Sequence, residues 1–190
     1  MNPLVALAKS AVENFVREGK IISPAENLPK EFLLKKSGVF VTIEKEGSLR
    51  GCIGTYLPTK ENIAQEIICN AIAAATEDYR FGSIQENELP YLAFTVYTLG
   101  RPELIKDISG LNPKKYGIIV KTNPIQLLKR NDVVFNGSLP YKSGLLLPDL
   151  EGIKTAEQQV LIACQKGGID LIRENIIIYR FTVNKYGEKD

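Results

Sequence analysis

Apolar residues recur along this chain with two different spacings, one typical of helices and the other typical of strands. Between residues 4 and 16 they recur every three or four positions, and Gly19 follows. We therefore predict an amphipathic first helix that ends at this glycine. Small apolar residues dominate positions 60–75, which predicts a second helix, buried on most of its surface, with Thr59 as its N-cap.

A third helix is predicted where Thr155-Ala156-Glu157-Gln158 matches a capping box. Its apolar pattern continues to Gly167-Gly168, which predicts the end of the helix. Strands are predicted where β-branched and aromatic residues cluster or alternate with polar ones: residues 39–43, 49–56, 91–98, 116–121, 132–135 and 176–183. Gly47 separates the first two strands, which favours an antiparallel hairpin. Because helices and strands interleave irregularly, we predict an α+β fold, a mostly antiparallel sheet packed by about three helices.

The composition is typical of an ordinary globular protein. The 190 residues include 44% apolar and 24% charged residues, with a formal net charge of +2. A chain of this length can build a hydrophobic core without disulfides or metals, so we expect a single domain over residues 1–190. No stretch approaches the roughly 18 uninterrupted apolar residues that cross a bilayer, and residues 1–9 lack the basic n-region of a secretory signal. We therefore expect a cytoplasmic protein that does not enter a membrane.

The chain contains no histidine, and this absence excludes several mechanisms. Histidine is the commonest general base near neutral pH and the commonest transition-metal ligand. This chain alone therefore cannot form a Ser-His-Asp triad, a Cys-His dyad or an HExxH zinc site. Its cysteines, Cys52, Cys69 and Cys164, are widely spaced without a CxxC motif, which argues against a disulfide framework. We expect free thiols, with Cys69 and Cys164 in the core, and neither a metal ion nor a cofactor.

The least ordinary segment is Leu49-Arg50-Gly51-Cys52-Ile53-Gly54-Thr55, where two glycines and a cysteine interrupt a predicted strand. If the strand alternates regularly, Arg50, Cys52 and Gly54 lie on one face. A nearby guanidinium lowers the pKa of a thiol, and glycines allow a ligand or another backbone to approach closely. Cys52 is then a candidate nucleophile, and Arg50, Gly51 and Gly54 are candidate ligand-binding residues. Alternatively, Cys52 is a core residue and the glycines mark a bulge or a helix crossing.

This segment resembles the signature of the AMMECR family, named for the human Alport syndrome, midface hypoplasia and elliptocytosis chromosomal region. Further blocks of the resemblance follow in order along nearly the whole chain: Asp78-Tyr79-Arg80-Phe81, Glu88-Leu89, Gly117-Ile118, Gly144-Leu145-Leu146-Leu147-Pro148, Lys166-Gly167-Gly168 and Tyr179-Arg180-Phe181. Many relatives have proline where this chain has Tyr79. The resemblance implies an α+β fold with a larger and a smaller subdomain, and no established enzymatic activity.

Prokaryotic members of this family often occur beside, or fused to, MEMO-type and radical-SAM proteins. The resemblance therefore implies a shared pathway and makes proteins of these two types candidate partners. No cysteine triplet in this chain could hold an iron–sulfur cluster, so any such cluster belongs to another protein.

Asp78 and Arg80 complete the set of candidate ligand-binding residues. They are two positions apart in a predicted loop after the second helix, where they could orient a substrate or clamp the loop. Arg50 and Arg80 together would suit a carboxylate or a phosphate. Alternatively, each arginine pairs with a neighbouring acid such as Asp78 or Glu88.

Three functions remain open from the sequence. The first is a small enzyme or ligand-binding protein whose pocket takes a small anionic ligand and is formed by four residues: Arg50, Cys52, Asp78 and Arg80. If the protein is an enzyme, its chemistry is cysteine-based and independent of histidine. The second is a non-catalytic protein-interaction module, which the absence of histidine favours. The third, nucleic-acid binding, is disfavoured because the basic residues form isolated pairs and the net charge is only +2.

Overall fold

The structure is a computed structural model of the chain, and it describes residues 1–25, 28–123 and 142–188. Contacts divide the chain into two compact units: one comprises Met1–Gly100 and Asn184–Asp190, and the other comprises Arg101–Val183. The described residues form two four-stranded sheets with helices packed against them. The fold class is α+β, as predicted, but the strands form two sheets rather than one.

The described residues form four α-helices and one 3₁₀ helix. These are α1 (Pro3–Glu18), α2 (Lys30–Leu34), α3 (Ile63–Thr76), the 3₁₀ helix Glu86–Tyr91 and α4 (Ala156–Lys166). At the end of α1, Gly19 adopts a φ of 66° and its N–H bonds to the carbonyl of Phe15, so the predicted glycine stop is confirmed. The capping box between Thr155 and Gln158 at the start of α4 is confirmed as well.

The predicted N-cap of the second helix is wrong. The N-cap of α3 is Asn62, whose side-chain oxygen accepts a hydrogen bond from the backbone N–H of Gln65 at 3.0 Å. Thr59 instead donates its backbone N–H and its hydroxyl to the carboxylate of Glu66, at 2.7 and 2.9 Å. Both threonine and asparagine are good N-caps, so the sequence could not show that a buried acid on the first turn recruits Thr59.

Glu66 is a buried carboxylate, only 1% exposed, that holds the segment between β2 and α3. Besides the two bonds from Thr59, it accepts hydrogen bonds from the hydroxyl of Thr55 at 2.6 Å and the N–H of Lys60 at 2.8 Å. Burial raises the pKa of Glu66, but these hydrogen bonds outweigh burial, so the pKa lies below its ordinary value. The carboxylate is therefore charged at neutral pH and stabilises this turn.

Eight strands are formed by the described residues. They are β1 (Val39–Lys45), β2 (Ser48–Thr55), β3 (Leu92–Leu99), β4 (Glu103–Ile105), β5 (Gly117–Thr122), β6 (Ser143–Leu146), β7 (Ile176–Phe181) and β8 (Val183–Tyr186). The predicted strand at 132–135 lies outside the described residues. The single strand predicted over 176–183 is in fact two, β7 and β8, which belong to different sheets. A run of apolar residues indicates burial, but it does not indicate which sheet a strand joins.

The first sheet has the order β2-β1-β3-β8. β1 pairs antiparallel with β2 and with β3, which confirms the predicted hairpin. Along β1 the side chains of Val39, Val41 and Ile43 are fully buried and belong to the core formed with α1 and α3. The intervening residues Phe40 and Thr42 are partly exposed, so this sheet has one covered face and one accessible face.

The second sheet has the order β4-β7-β5-β6, and its strand pairs are antiparallel. α4 packs on β5 and β6. Gly144 in β6 allows this close approach, because a Cβ atom there would overlap the carbonyl of Ala163 in α4. Cys164 lies in the core of this unit, as predicted, and burial raises the pKa of its thiol.

The three cysteines are free thiols. Cys164 is buried, whereas Cys69 is partly exposed on α3 rather than fully in the core. Within residues 1–25, 28–123 and 142–188, no three acidic or cysteine side chains cluster as metal ligands would. In the same parts of the chain, no helix combines the length and apolar character that a membrane span requires.

Candidate functional site

The candidate site lies around Cys52 on β2, an edge strand of the first sheet. Cys52 is partly exposed, and the hydroxyl of Thr42 on β1 lies 3.3 Å from its Sγ. The register places Thr42 between Cys52 and Thr95, so three polar side chains form a row across three strands. Adjacent to this row, the phenol of Tyr97 lies close enough to Cys52 for the thiol to influence its pKa. We call this surface the Cys52 face, defined by Cys52, Thr42, Thr95 and Tyr97.

Tyr97 borders the Cys52 face on β3, opposite Phe40 of β1. Burial, together with the nearby Cys52 and Glu44, raises the pKa of its phenol. Lys185 of β8 lies over the ring, with its Nζ 5.9 Å from the ring centroid. Tyr97 is therefore neutral at physiological pH, and it offers the face a hydroxyl rather than a charge.

Asp78 links two of the predicted site residues, Cys52 and Arg80. Its Oδ2 accepts the backbone N–H of Cys52 at 2.9 Å, and its two oxygens accept Nε and Nη2 of Arg80 at 2.9 and 2.7 Å. The carboxylate side chain is only 4% exposed. The hydrogen bond from Arg80, helped by the N–H of Cys52, lowers the pKa of Asp78 to about 2. Asp78 is thus charged at neutral pH, and it fixes Arg80 beside β2.

Arg80 is the accessible cation of the site, with 44% of its side chain exposed. Its Nε and Nη2 are bound to Asp78, whereas Nη1 has no hydrogen-bond partner in the part of the chain that the structure describes. The guanidinium carbon lies 5.4 Å from the ring centroid of Phe81, which favours one orientation of the group. A fixed guanidinium with unused donors can bind a second anion from solvent.

Arg50 stands at a β-bulge in β2 and pairs with Glu88. The register passes from Ile43–Gly51 to Glu44–Leu49, which leaves Arg50 as the extra residue of β2. Its guanidinium binds both carboxylate oxygens of Glu88, at 3.0 and 2.9 Å. The bulge therefore interrupts the regular alternation that predicts Arg50 and Cys52 on one face. Arg50 pairs with Glu88 and Arg80 pairs with Asp78, as the alternative interpretation of the sequence predicts.

Glu88 joins the first residues of the 3₁₀ helix to the β1–β2 hairpin. In addition to Arg50, its carboxylate accepts hydrogen bonds from Nζ of Lys45 at 3.0 Å and from the backbone N–H of Gln85 at 3.0 Å. The hydrogen bond from Arg50 is the main reason that the pKa of Glu88 is lowered to about 2. The guanidinium of Arg50 is already hydrogen-bonded to Glu88, and only 16% of the Arg50 side chain is exposed. The ion pairs of Glu88 with Arg50 and Lys45 therefore stabilise the fold next to the site.

The two glycines of the segment have packing roles. A Cβ atom on Gly51 would overlap the carbonyl oxygen of Ala74, so this glycine allows α3 to cross β2 closely. A Cβ atom on Gly54 would overlap the side chain of Phe40 and the carbonyl of Val39. The space at both positions is therefore filled by the protein itself, rather than left open for a ligand.

Sequence reasoning identified Cys52, Asp78 and Arg80, which the structure brings together, but it missed the hydroxyl groups on the neighbouring strands. Thr42 and Thr95 occupy alternate, polar positions of their strands. Such alternation is typical of a strand with one accessible face. Only the cross-strand register shows that both threonines share a row with Cys52.

Comparisons with known proteins agree with the sequence resemblance. The AMMECR1 family model matches residues 5–186. A protein of Thermotoga maritima is 47% identical over 186 residues, which cover 97% of both chains. A protein of Clostridium acetobutylicum is 38% identical over 188 residues, and this chain spans only 36% of its length. The crystal structure of an uncharacterized protein from Pyrococcus horikoshii has a TM-score of 0.81 at 29% identity, covering 98% of this chain and 90% of that one. None of these relatives is named for an activity, and this chain belongs to the AMMECR1 family.

Proposed function

We propose that this protein binds a small carboxylate-bearing ligand on the Cys52 face, with Arg80 as the residue that binds the anion. The observation behind the proposal is that buried Asp78 fixes a half-exposed guanidinium next to the backbone of Cys52. The planar guanidinium matches the geometry of a carboxylate, and its Nη1 donors are unused within the described residues. Arg50 contributes indirectly, through the ion pair with Glu88 that supports the hairpin.

The thiol and hydroxyl groups of the Cys52 face would contact the remainder of the ligand. Thr42 and Tyr97 can each donate or accept a hydrogen bond. If the bound ligand carries an electrophilic carbonyl, Sγ of Cys52 adds to the carbonyl carbon and the π-bond electrons move to the carbonyl oxygen. The thiol proton passes to that oxygen, directly or through solvent, because the chain has no histidine. The free thiols also support a reducing, cytoplasmic location.

A second candidate function, docking of a protein partner, is supported by Tyr79. Its side chain is 95% exposed and it lies between Asp78 and Arg80 in the chain. Tyrosine and arginine contribute much of the binding energy at protein interfaces. MEMO-type and radical-SAM proteins are the candidate partners, and loss of their binding in Tyr79→Ala, with carboxylate binding intact, would favour this function.

The proposed ligand class is tested by titration of ¹⁵N-labelled protein with acetate, lactate, succinate and glutamate at constant ionic strength. We expect saturable shifts of the Cys52 amide and of the Arg80 Nε–H signals. Arg80→Gln should abolish the shift at Cys52. The matched control is Arg17→Gln, because Arg17 is also half exposed and paired with an acid, Glu86, at 3.6 Å. The control should retain the wild-type response.

Two results of this titration would contradict the proposal. The first is the absence of a saturable shift at Cys52 with every carboxylate tested. The second is a shift that persists unchanged in Arg80→Gln, since the anion would then bind elsewhere. A melting curve of each variant shows whether it is folded at the temperature of the titration.

A further inference from the structure

The outer edge of β2 offers backbone hydrogen-bonding groups beside Arg80. Between Gly51 and Thr55 the pairing with β1 is regular, so alternate residues direct their N–H and C=O groups towards β1 and away from it. The N–H of Cys52 bonds to Asp78 and hence points away from β1. Gly54, two residues later, directs its backbone groups towards the same open edge.

Most of the groups on this edge have no partner within residues 1–25, 28–123 and 142–188. Among the described residues, no hydrogen bond reaches the carbonyl of Cys52 or either backbone group of Gly54. Gly54 is partly exposed. Unpaired donors and acceptors along an edge strand form a template onto which an extended chain can add as a further strand.

We propose that the ligand of the Cys52 face is the C-terminal segment of an extended peptide, which adds to β2 as an antiparallel strand. This inference rests on the proposed function, because Arg80 binds the terminal carboxylate. The last residue of the peptide lies opposite Gly54. It donates its N–H to the Gly54 carbonyl, and one oxygen of its terminal carboxylate accepts the Gly54 N–H.

Asp78 explains why the peptide ends before it reaches Cys52. In a continuing antiparallel strand, a peptide carbonyl would accept the N–H of Cys52, but Asp78 already accepts it at 2.9 Å. A strand that extended further would lose this bond and meet the Asp78 carboxylate. A strand that ends opposite Gly54 stops before it reaches Asp78, and its terminal carboxylate can then accept a hydrogen bond from the unused Nη1 of Arg80.

The same register places the side chain of the last peptide residue on the Cys52 face. Residues directly opposite each other in an antiparallel pair have side chains on the same face. The terminal side chain therefore lies beside Gly54, on the same face as the thiol of Cys52 and the hydroxyl of Thr42. Selectivity for the terminal residue is expected to come from these polar groups.

The inference is tested by affinity selection from two pools of randomised pentapeptides, one with a free C-terminal carboxylate and one with a C-terminal amide. The whole protein is used as the bait. We expect enriched peptides only from the carboxylate pool. For the best binder, amidation or N-methylation of the last residue should each weaken binding by about tenfold. N-methylation of the next-to-last residue is the matched control, because its N–H points away from β2, and affinity should be unchanged.

The outcomes separate this inference from the proposed function. Equal binding of amidated and carboxylate peptides, or no effect of methylating the last N–H, would overturn strand addition at Arg80. If small carboxylates shift the Cys52 amide but no peptide is enriched, the inference fails and the proposed function stands. If neither small carboxylates nor peptides bind, both fail. Arg80→Gln should remove the preference for the carboxylate pool, whereas Arg17→Gln should keep it.

Discussion

Replacing Asp78 with asparagine tests whether this carboxylate organises the site. Asp78 accepts hydrogen bonds from the Cys52 N–H and from the backbone and guanidinium of Arg80. Its pKa in the folded protein is about 2, against an ordinary value of 3.8. At about 1.4 kcal/mol per pKa unit, the ionised form stabilises the folded state by about 2 kcal/mol at neutral pH.

The sign of the pH dependence follows from the lowered pKa. A carboxylate whose pKa is lower in the folded state contributes fully above about pH 5, and its contribution is lost as the pH falls towards 2. By pH 3, about half of the Asp78 contribution, roughly 1 kcal/mol, should be lost. The pKa of Glu88 is about 2 in the folded protein, against an ordinary value of 4.5. Its contribution to the free energy of unfolding is therefore also lost as the pH falls towards 2. Wild-type protein therefore loses both contributions in acid, whereas Asp78→Asn loses only that of Glu88.

The measurement is urea unfolding at pH 7 and pH 3, followed by circular dichroism. We expect Asp78→Asn to lower the free energy of unfolding by about 2–4 kcal/mol at pH 7, since the asparagine amide would leave buried donors without an acceptor. Between pH 7 and pH 3, the variant should lose about 1 kcal/mol less than wild type. Glu61→Gln is the control, because Glu61 is 81% exposed in its ion pair with Lys36. Identical pH dependence in Asp78→Asn and wild type would refute this reasoning.

Two further predictions concern the packing and the ion pairs beside the site, and both are checked by urea unfolding at pH 7. Gly51→Ala should destabilise the protein by about 1–3 kcal/mol, because its Cβ would overlap the Ala74 carbonyl. Gly82→Ala is the control, because a Cβ atom added at Gly82 has no neighbour within 4 Å, and it should change the free energy of unfolding by less than about 0.5 kcal/mol. Equal effects of the two substitutions would contradict the close crossing of α3 over β2. Arg50→Lys should cost about 1–2 kcal/mol, because lysine cannot bind both oxygens of Glu88, and an unchanged stability would contradict that role.

The parts of the fold that the sequence predicted correctly depend on local signals. Gly19 ends α1 through its own positive φ, and Thr155 starts α4 through a hydrogen bond three residues away. The N-cap of α3 could not be predicted, because Thr59 is recruited by the buried carboxylate of Glu66. The division between β7 and β8 depends on which neighbours each strand finds, and this information is not local.

The site shows the same contrast between local and distant determinants. Asp78 and Arg80 pair two residues apart, but the hydrogen bond that the Cys52 N–H donates to Asp78 spans 26 residues. This hydrogen bond forms only because α3 packs across the sheet and ends where Asp78 lies beside the edge of β2. Arg50 is the extra residue of a bulge whose position is set by pairing with β1, so alternation along one strand could not reveal this bulge.

The most direct test of the central claim compares the rates at which iodoacetate and iodoacetamide alkylate Cys52, read at that residue by mass spectrometry. Both reagents form a thioether and release iodide, but only iodoacetate has a carboxylate. If Arg80 attracts carboxylates to the Cys52 face, the iodoacetate-to-iodoacetamide rate ratio is higher in the folded protein than in the unfolded chain. The ratio should fall to the unfolded value in Arg80→Gln and remain high in Arg17→Gln. A ratio that is the same in the folded and unfolded protein, or protection of Cys52 from both reagents until unfolding, would contradict the account.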